Sequence, residues 1–125
     1  MTRHGDSVDP SDLKSLPDSA PDVVGRYFEL AARRDVEAIV ALFTDDASLT
    51  DEGETRRGSD AIRAWQTGPA ARYEYTTTIK DSEALGGDRY RVAVRLEGNF
   101  PGGTADLNYD FTVDGNRVSS LRIAP

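Results

Sequence analysis

The chain has 125 residues, which is enough for one domain of ordinary size and too few for two. It carries a formal net charge of −7 and no cysteine, so disulfides, thiolate catalysis and cysteine-bound zinc are excluded. An acidic surface repels nucleic acid and anionic membranes, and we therefore expect neither of them as a partner.

The N-terminal segment, residues 1–18, is predicted to be a disordered or loosely docked leader. It is polar, contains two prolines and lacks the apolar region of a signal peptide. No part of the sequence approaches the roughly 20 apolar residues that a membrane helix needs. We therefore expect a cytoplasmic protein with a single folded domain over residues 19–125.

Three helices are predicted in the first half of the chain. A capping-box pattern at residues 19–22 begins the first, and the apolar residues after it recur on one helical face. Asp35 can cap a second helix, whose predicted apolar face extends to Phe43. Residues 58–60 cap the third helix, and residues 68–69 end it.

The second half of the chain is predicted to be an antiparallel meander. One short strand comes earlier, at residues 47–51. Apolar residues then alternate in four longer segments, which are residues 72–82, 89–97, 104–113 and 117–124. Because the helices must cover one face of such a sheet, the predicted fold class is α+β.

The register of the hairpin between residues 89–97 and 104–113 can be tested by its side chains. If Leu96 lies opposite Ala105, one face of both strands is apolar throughout. The other face then carries two opposite-charge pairs, Arg91–Asp110 and Arg95–Asp106.

The last hairpin is predicted to have a three-residue loop at residues 114–116. This loop places Tyr109 opposite Leu121 and keeps the apolar face continuous. A two-residue loop in a regular ladder would bring Ser120 and Arg122 onto that face instead.

Four segments of the first half carry a pattern that is typical of one group of proteins. They are RYFEL at 26–30, DVEAIV at 35–40, DDASLTD at 45–51 and GSDAIRAW at 58–65. These segments resemble bacterial ketosteroid isomerases and SnoaL-like proteins of the nuclear-transport-factor-2-like superfamily. The resemblance extends over roughly residues 21–125. It implies a cone-shaped, curved antiparallel sheet, covered by three N-terminal helices and built around one internal pocket.

The resemblance also implies roles for individual residues. Asp51 falls where ketosteroid isomerases have their general base, and Tyr27 falls where they have the tyrosine of the oxyanion hole. The position of their second donor, an aspartic acid, corresponds to Tyr109, while the adjacent Asp110 should point outward. The single histidine is His4 in the leader, so the histidine-dependent dehydratase pattern is absent.

Each candidate site residue also has a purely structural interpretation. Asp51 shares a strand face with Leu49, so its carboxylate either enters an apolar pocket or begins a polar turn. Tyr27 is either a hydrogen-bond donor to a ligand or a core tyrosine bonded to backbone or to Asp51. The candidate ligand-binding walls, which can equally be plain core, are Trp65, Tyr109, Phe111, Leu49 and Val94.

The predicted function is a cofactor-free acid–base isomerase, cyclase or dehydratase that acts on a small apolar carbonyl compound. The alternative is a non-catalytic ligand-binding or dimeric assembly domain of the same fold. No metal site is predicted, because the acidic residues near 45–54 match no calcium loop and lack histidine. The resemblance implies a homodimer that pairs through the outer face of the sheet, although that face could equally be solvated.

Overall fold

The structure is a computed structural model that describes residues 22–125. The predicted leader at residues 1–18 and the start of the capping box at Ser19 lie outside the described residues. No helix among the described residues is both long and apolar enough to cross a membrane.

Three α-helices form where the sequence predicts them. They are α1 (Asp22–Arg33), α2 (Val36–Ala41) and α3 (Ser59–Thr67), and a short 3₁₀ turn over Pro69–Ala71 follows α3. The predicted cap of α2 is confirmed, because the Asp35 carboxylate accepts a hydrogen bond from the Ala38 N–H at 3.2 Å. Such a bond satisfies one of the free N–H groups at a helix start.

Six strands form one sheet, and the predicted α+β class is confirmed. The strands are β1 (Phe43–Asp51), β2 (Glu54–Arg57), β3 (Tyr75–Gly86), β4 (Arg89–Gly98), β5 (Thr104–Asp114) and β6 (Arg117–Ala124). Their order across the sheet is β2-β1-β6-β5-β4-β3. All neighbours are antiparallel except β1 and β6, which run parallel.

The predicted register of the β4–β5 hairpin is confirmed. Leu96 lies opposite Ala105, and the whole ladder follows from that pair. Both predicted charge pairs form on the outer face, and each pair has two hydrogen bonds. Those of Arg91–Asp110 are 2.7 and 3.0 Å long, and those of Arg95–Asp106 are 2.8 and 3.0 Å long. On the inner face the alternate residues of both strands enter the hydrophobic core.

The prediction that α2 extends to Phe43 is wrong. The helix ends at Ala41, and Phe43 instead begins β1, where it is buried and pairs with Val118 of β6. Pairing with a distant strand overrides the local helical period there. The exposed four-residue edge strand β2 was not predicted at all, since it contains no apolar alternation.

The prediction of a three-residue loop in the last hairpin is also wrong. Asp114 pairs with Arg117, so the loop has two residues, and Tyr109 lies opposite Ile123 rather than Leu121. A bulge shifts the register by one residue further along β6. This bulge keeps the apolar residues of both strands on one face, which a regular ladder with this loop would not do.

Candidate functional site

Two adjoining cavities lie between the helices and the inner face of the sheet. The helix cavity, next to α1 and α3, has a volume of about 310 Å³. The strand cavity, next to the ends of β1 and β6, has a volume of about 410 Å³. Both volumes are in the range of small-molecule sites. Four residues belong to the walls of both cavities: Trp65, Ala70, Tyr75 and Tyr109.

Asp51, the predicted general base, is the last residue of β1 and lines the strand cavity. Its Oδ2 atom accepts a hydrogen bond from the indole Nε1 of Trp65 at 3.1 Å. Burial raises the pKa of the Asp51 carboxyl, whereas the bond from Trp65 acts in the opposite direction and Glu52 adds a smaller increase. The carboxylate is therefore partly desolvated and held in one orientation.

Trp65 is the only tryptophan of the chain and sits on the inward face of α3. Its side chain is buried, and it contributes to the walls of both cavities. Because its N–H is bonded to Asp51, the ring links the orientation of that carboxylate to the position of α3. The predicted ligand-wall residue Trp65 is thus also the partner of the predicted base.

Tyr27, the predicted hydroxyl donor, is buried on α1 and lines the helix cavity. Burial raises the pKa of its phenol, and Tyr75 and Asp51 add to the increase. Among residues 22–125 the side-chain partner of its hydroxyl is Gln66, which acts to lower the pKa, rather than backbone or Asp51, which were the partners of its structural interpretation. The hydroxyl therefore stays protonated around neutral pH and can donate.

Tyr109 lies on the inward face of β5 and takes part in the walls of both cavities. Burial raises its pKa well above the usual value, with smaller contributions from Tyr27, Tyr75 and Asp51. Its ring centroid is 6.1 Å from that of Tyr27. Tyr109 is consequently a second neutral phenol beside the predicted donor.

Tyr75 and Gln66 are among the wall residues that were not predicted as site residues. Tyr75 begins β3 and lines both cavities, and Gly98 is packed so closely against it that an added Cβ would lie 2.6 Å from the Tyr75 Cβ. The position of Tyr75 in the alternating series of β3 was the signal that could have identified it as a wall residue. Gln66 follows Trp65 on α3 and lines the helix cavity, and nothing in the sequence pattern distinguishes it.

Three of the predicted ligand-wall residues lie behind the cavity walls. Leu49, Val94 and Phe111 are each no more than 1% exposed and line neither cavity. Their contact with a ligand stays a prediction. In the part of the chain that the structure describes, no group of three or more His, Cys, Asp or Glu side chains is arranged to hold a metal ion.

The chemistry that these groups can perform is proton transfer. The two cavities have one partly desolvated carboxylate and several neutral phenols on their walls. The remaining walls are largely apolar. A carboxylate in such surroundings is a stronger base than it would be in water. Phenol hydroxyls can stabilise the oxygen on which negative charge develops.

A family model described as a SnoaL-like domain matches residues 24–120 of the chain. A candidate polyketide cyclase from Sinorhizobium meliloti is 32% identical, with a TM-score of 0.76, over 82% of this chain and 94% of that one. No protein of curated function matches the chain.

Two more distant structures share the fold. A protein from Catenulispora acidiphila with a ketosteroid isomerase-like fold, solved with trimethylamine, is 20% identical with a TM-score of 0.70, over 86% of this chain and 87% of that one. A protein from Mycobacterium tuberculosis, solved with estradiol-17beta-hemisuccinate, is 17% identical with a TM-score of 0.69, over 82% of this chain and 89% of that one. At these identities the likeness concerns the fold alone.

Proposed function

Because this chain belongs to the SnoaL-like domain family, we propose that it binds a small, mostly apolar carbonyl compound and catalyses proton transfer on it. The observation that carries this proposal is the Asp51 carboxylate, which is half-buried on a cavity wall with one oxygen held by Trp65. The described candidate polyketide cyclase, at 32% identity, supports a substrate of the polyketide type.

The first step is the removal of a proton from the carbon next to the carbonyl group. Asp51 uses the oxygen that Trp65 does not occupy, and the C–H electron pair moves into the carbon skeleton to form an enolate. Tyr27, or Tyr109 beside it, donates a hydrogen bond to the enolate oxygen. Each phenol stays neutral because burial raises its pKa.

The second step decides the type of reaction. Return of the proton from Asp51 to another carbon completes an isomerisation. Attack of the enolate carbon on a second carbonyl forms a ring, and the alkoxide that results takes the proton from Asp51. Loss of a neighbouring hydroxyl as water, protonated by Asp51, completes a dehydration. All three outcomes use the same base and the same donors, and the shape of the bound substrate selects between them.

The pH dependence of proton exchange tests this proposal. We expect the protein to accelerate exchange of the protons next to the carbonyl of α-tetralone with deuterated water. The rate should rise with pH, since only the ionised carboxylate of Asp51 is a base, and its midpoint should lie above the ordinary aspartate pKa. The proton signal of the Trp65 indole N–H, followed in parallel, should titrate with the same midpoint.

A non-catalytic binding protein is the second candidate. It is favoured by the Trp65 bond, because this bond stabilises the ionised form of Asp51 and so reduces its basicity. Binding of α-tetralone with no acceleration of exchange at any pH would support this candidate and contradict the enzyme.

We also propose that two copies of the chain pair through the outer face of the sheet. Arg91 and Arg95 are each already bonded there to an aspartate of the same chain, so the interface would be polar. Light scattering at high protein concentration should give the mass of a dimer, and the mass of a monomer would contradict the pairing.

A further inference from the structure

One polar atom in the helix cavity has no role in the mechanism above. It is Nε2 of Gln66, which is buried and has no hydrogen-bond partner. Among residues 22–125 no other buried side-chain nitrogen or oxygen lacks a partner. Buried polar groups are almost always satisfied, so a buried amide donor in a side chain that lines a cavity calls for an acceptor, which a bound ligand can supply.

The surroundings of this donor identify where the acceptor would sit. A side-chain hydrogen bond with Gln66 lowers the pKa of the Tyr27 phenol, yet the Nε2 atom makes no hydrogen bond of normal geometry. Two donors, an amide N–H and a phenol O–H, therefore belong to neighbouring side chains that both line the helix cavity. Much of the wall near them is carbon, contributed by Ala31, Val36 and Ala70.

Arg34 and Thr67 are further hydrogen-bond donors that line this cavity. One N–H group of Arg34, on Nη2, donates to the backbone oxygen of Tyr73 at 2.7 Å, and the side chain is exposed, so its remaining N–H groups face solvent. Thr67 also lines the cavity, and its hydroxyl donates to backbone oxygens within α3. Among the described residues, Gln66 Nε2 is therefore the buried side-chain donor that is left without a partner.

We propose that Gln66 Nε2 and the Tyr27 hydroxyl bind the same acceptor oxygen of the ligand, and that Gln66 thereby selects carbonyl compounds over hydrocarbons of equal shape. Two neutral donors on one oxygen suit a carbonyl group that gains negative charge during the reaction. The inference rests on the proposed function only for the chemical class of the ligand, because the selection acts on binding as well as on turnover.

The composition of the chain makes the test direct. Gln66 is the only glutamine and Trp65 the only tryptophan, so each has a single side-chain N–H signal set in a proton–nitrogen spectrum. The probes are two matched pairs, α-tetralone with tetralin and indanone with indane, which differ mainly in one carbonyl oxygen. All four should shift the Trp65 signal, and only the two ketones should shift the Gln66 signals.

Variants measure how much the Gln66 donor contributes to the binding of ketones. Gln66→Met keeps the length of the side chain and removes the donor, and should weaken ketone binding about 5- to 10-fold, as expected for one lost hydrogen bond. Its affinity for the hydrocarbons should stay within about twofold of the wild-type value. Thr78→Val is the control outside both cavities, because Thr78 is exposed on β3 and lines neither, and it should leave the preference for ketones unchanged.

A rival orientation of the amide gives a different result. If Gln66 Oε1 instead accepts the Tyr27 O–H, the side chain serves the fold alone. Gln66→Glu keeps an acceptor for Tyr27 and lacks the donor when it is measured at a pH at which the introduced carboxyl is ionised. Loss of ketone preference in Gln66→Glu supports the proposal, and retention of it overturns the proposal.

The remaining outcomes separate this inference from the proposed function. Equal binding of ketones and hydrocarbons to the wild-type protein, with Asp51-dependent exchange intact, overturns the role of Gln66 alone. If none of the four probes moves the Trp65 signal, the pocket does not bind small apolar compounds, and the proposed function itself is contradicted.

Discussion

Replacing Asp51 with asparagine is expected to slow proton exchange in α-tetralone by about 10²- to 10⁴-fold, the usual range for loss of a general base. Asparagine has nearly the same volume and keeps an oxygen that can accept the Trp65 N–H bond. It cannot take up a proton near neutral pH. Exchange followed by proton NMR should therefore fall to near the solvent rate, while the affinity measured by Trp65 fluorescence changes little.

Asp45→Asn is the matched control for this substitution. Asp45 lies on the same strand, is exposed to solvent and lines neither cavity. The control should retain the full exchange rate, which separates loss of the base from a change in net charge. An Asp51→Asn variant that still exchanges at the wild-type rate would mean that another group removes the proton.

Replacing Phe111 with alanine is expected to lower the free energy of unfolding by about 3–5 kcal/mol, as for other fully buried aromatic residues. Phe111 is 1% exposed, and its ring centroid lies 5.5 Å from that of Tyr27 and 5.9 Å from that of Phe28. Removing the ring leaves a cavity behind α1 and takes away those aromatic contacts. Urea unfolding followed by circular dichroism measures the change.

A comparison with Phe100→Ala distinguishes core from ligand wall. Phe100 is partly exposed, lines the strand cavity and contacts the ring of Tyr73. Its replacement should cost much less stability than that of Phe111 and should weaken binding of α-tetralone. If Phe111→Ala keeps its stability and loses ligand affinity instead, then Phe111 belongs to the ligand wall as the sequence predicts.

Alternation along the strands was sufficient to predict most of the sheet. Pairing Leu96 with Ala105 places every apolar residue of β4 and β5 correctly, because a one-residue shift would turn the whole apolar face toward solvent. The same reasoning failed in the last hairpin. A bulge in β6 absorbs one residue, and periodicity alone cannot reveal where an irregular residue lies.

The candidate site was only partly accessible from the sequence. Asp51 and Tyr27 were identified by their resemblance to known positions, and the structure places both on cavity walls. The bond between Trp65 and Asp51 was not foreseen, since it depends on how α3 packs against the end of β1. Gln66 could not be foreseen either, because an unsatisfied donor is defined by what surrounds it in space.

The position of β6 in the sheet has a consequence for the order of assembly. β1 meets the β3–β5 meander only through β6, which is the last strand of the domain and lies between β1 and β5. Asp51 is directly opposite Ile123 in that parallel pairing. During synthesis the half that carries the carboxylate must therefore wait for the final strand before the pocket can close around it. Such late, long-range pairing slows folding, and it leaves the edges of β1 and β5 that face β6 unpaired until β6 has been made.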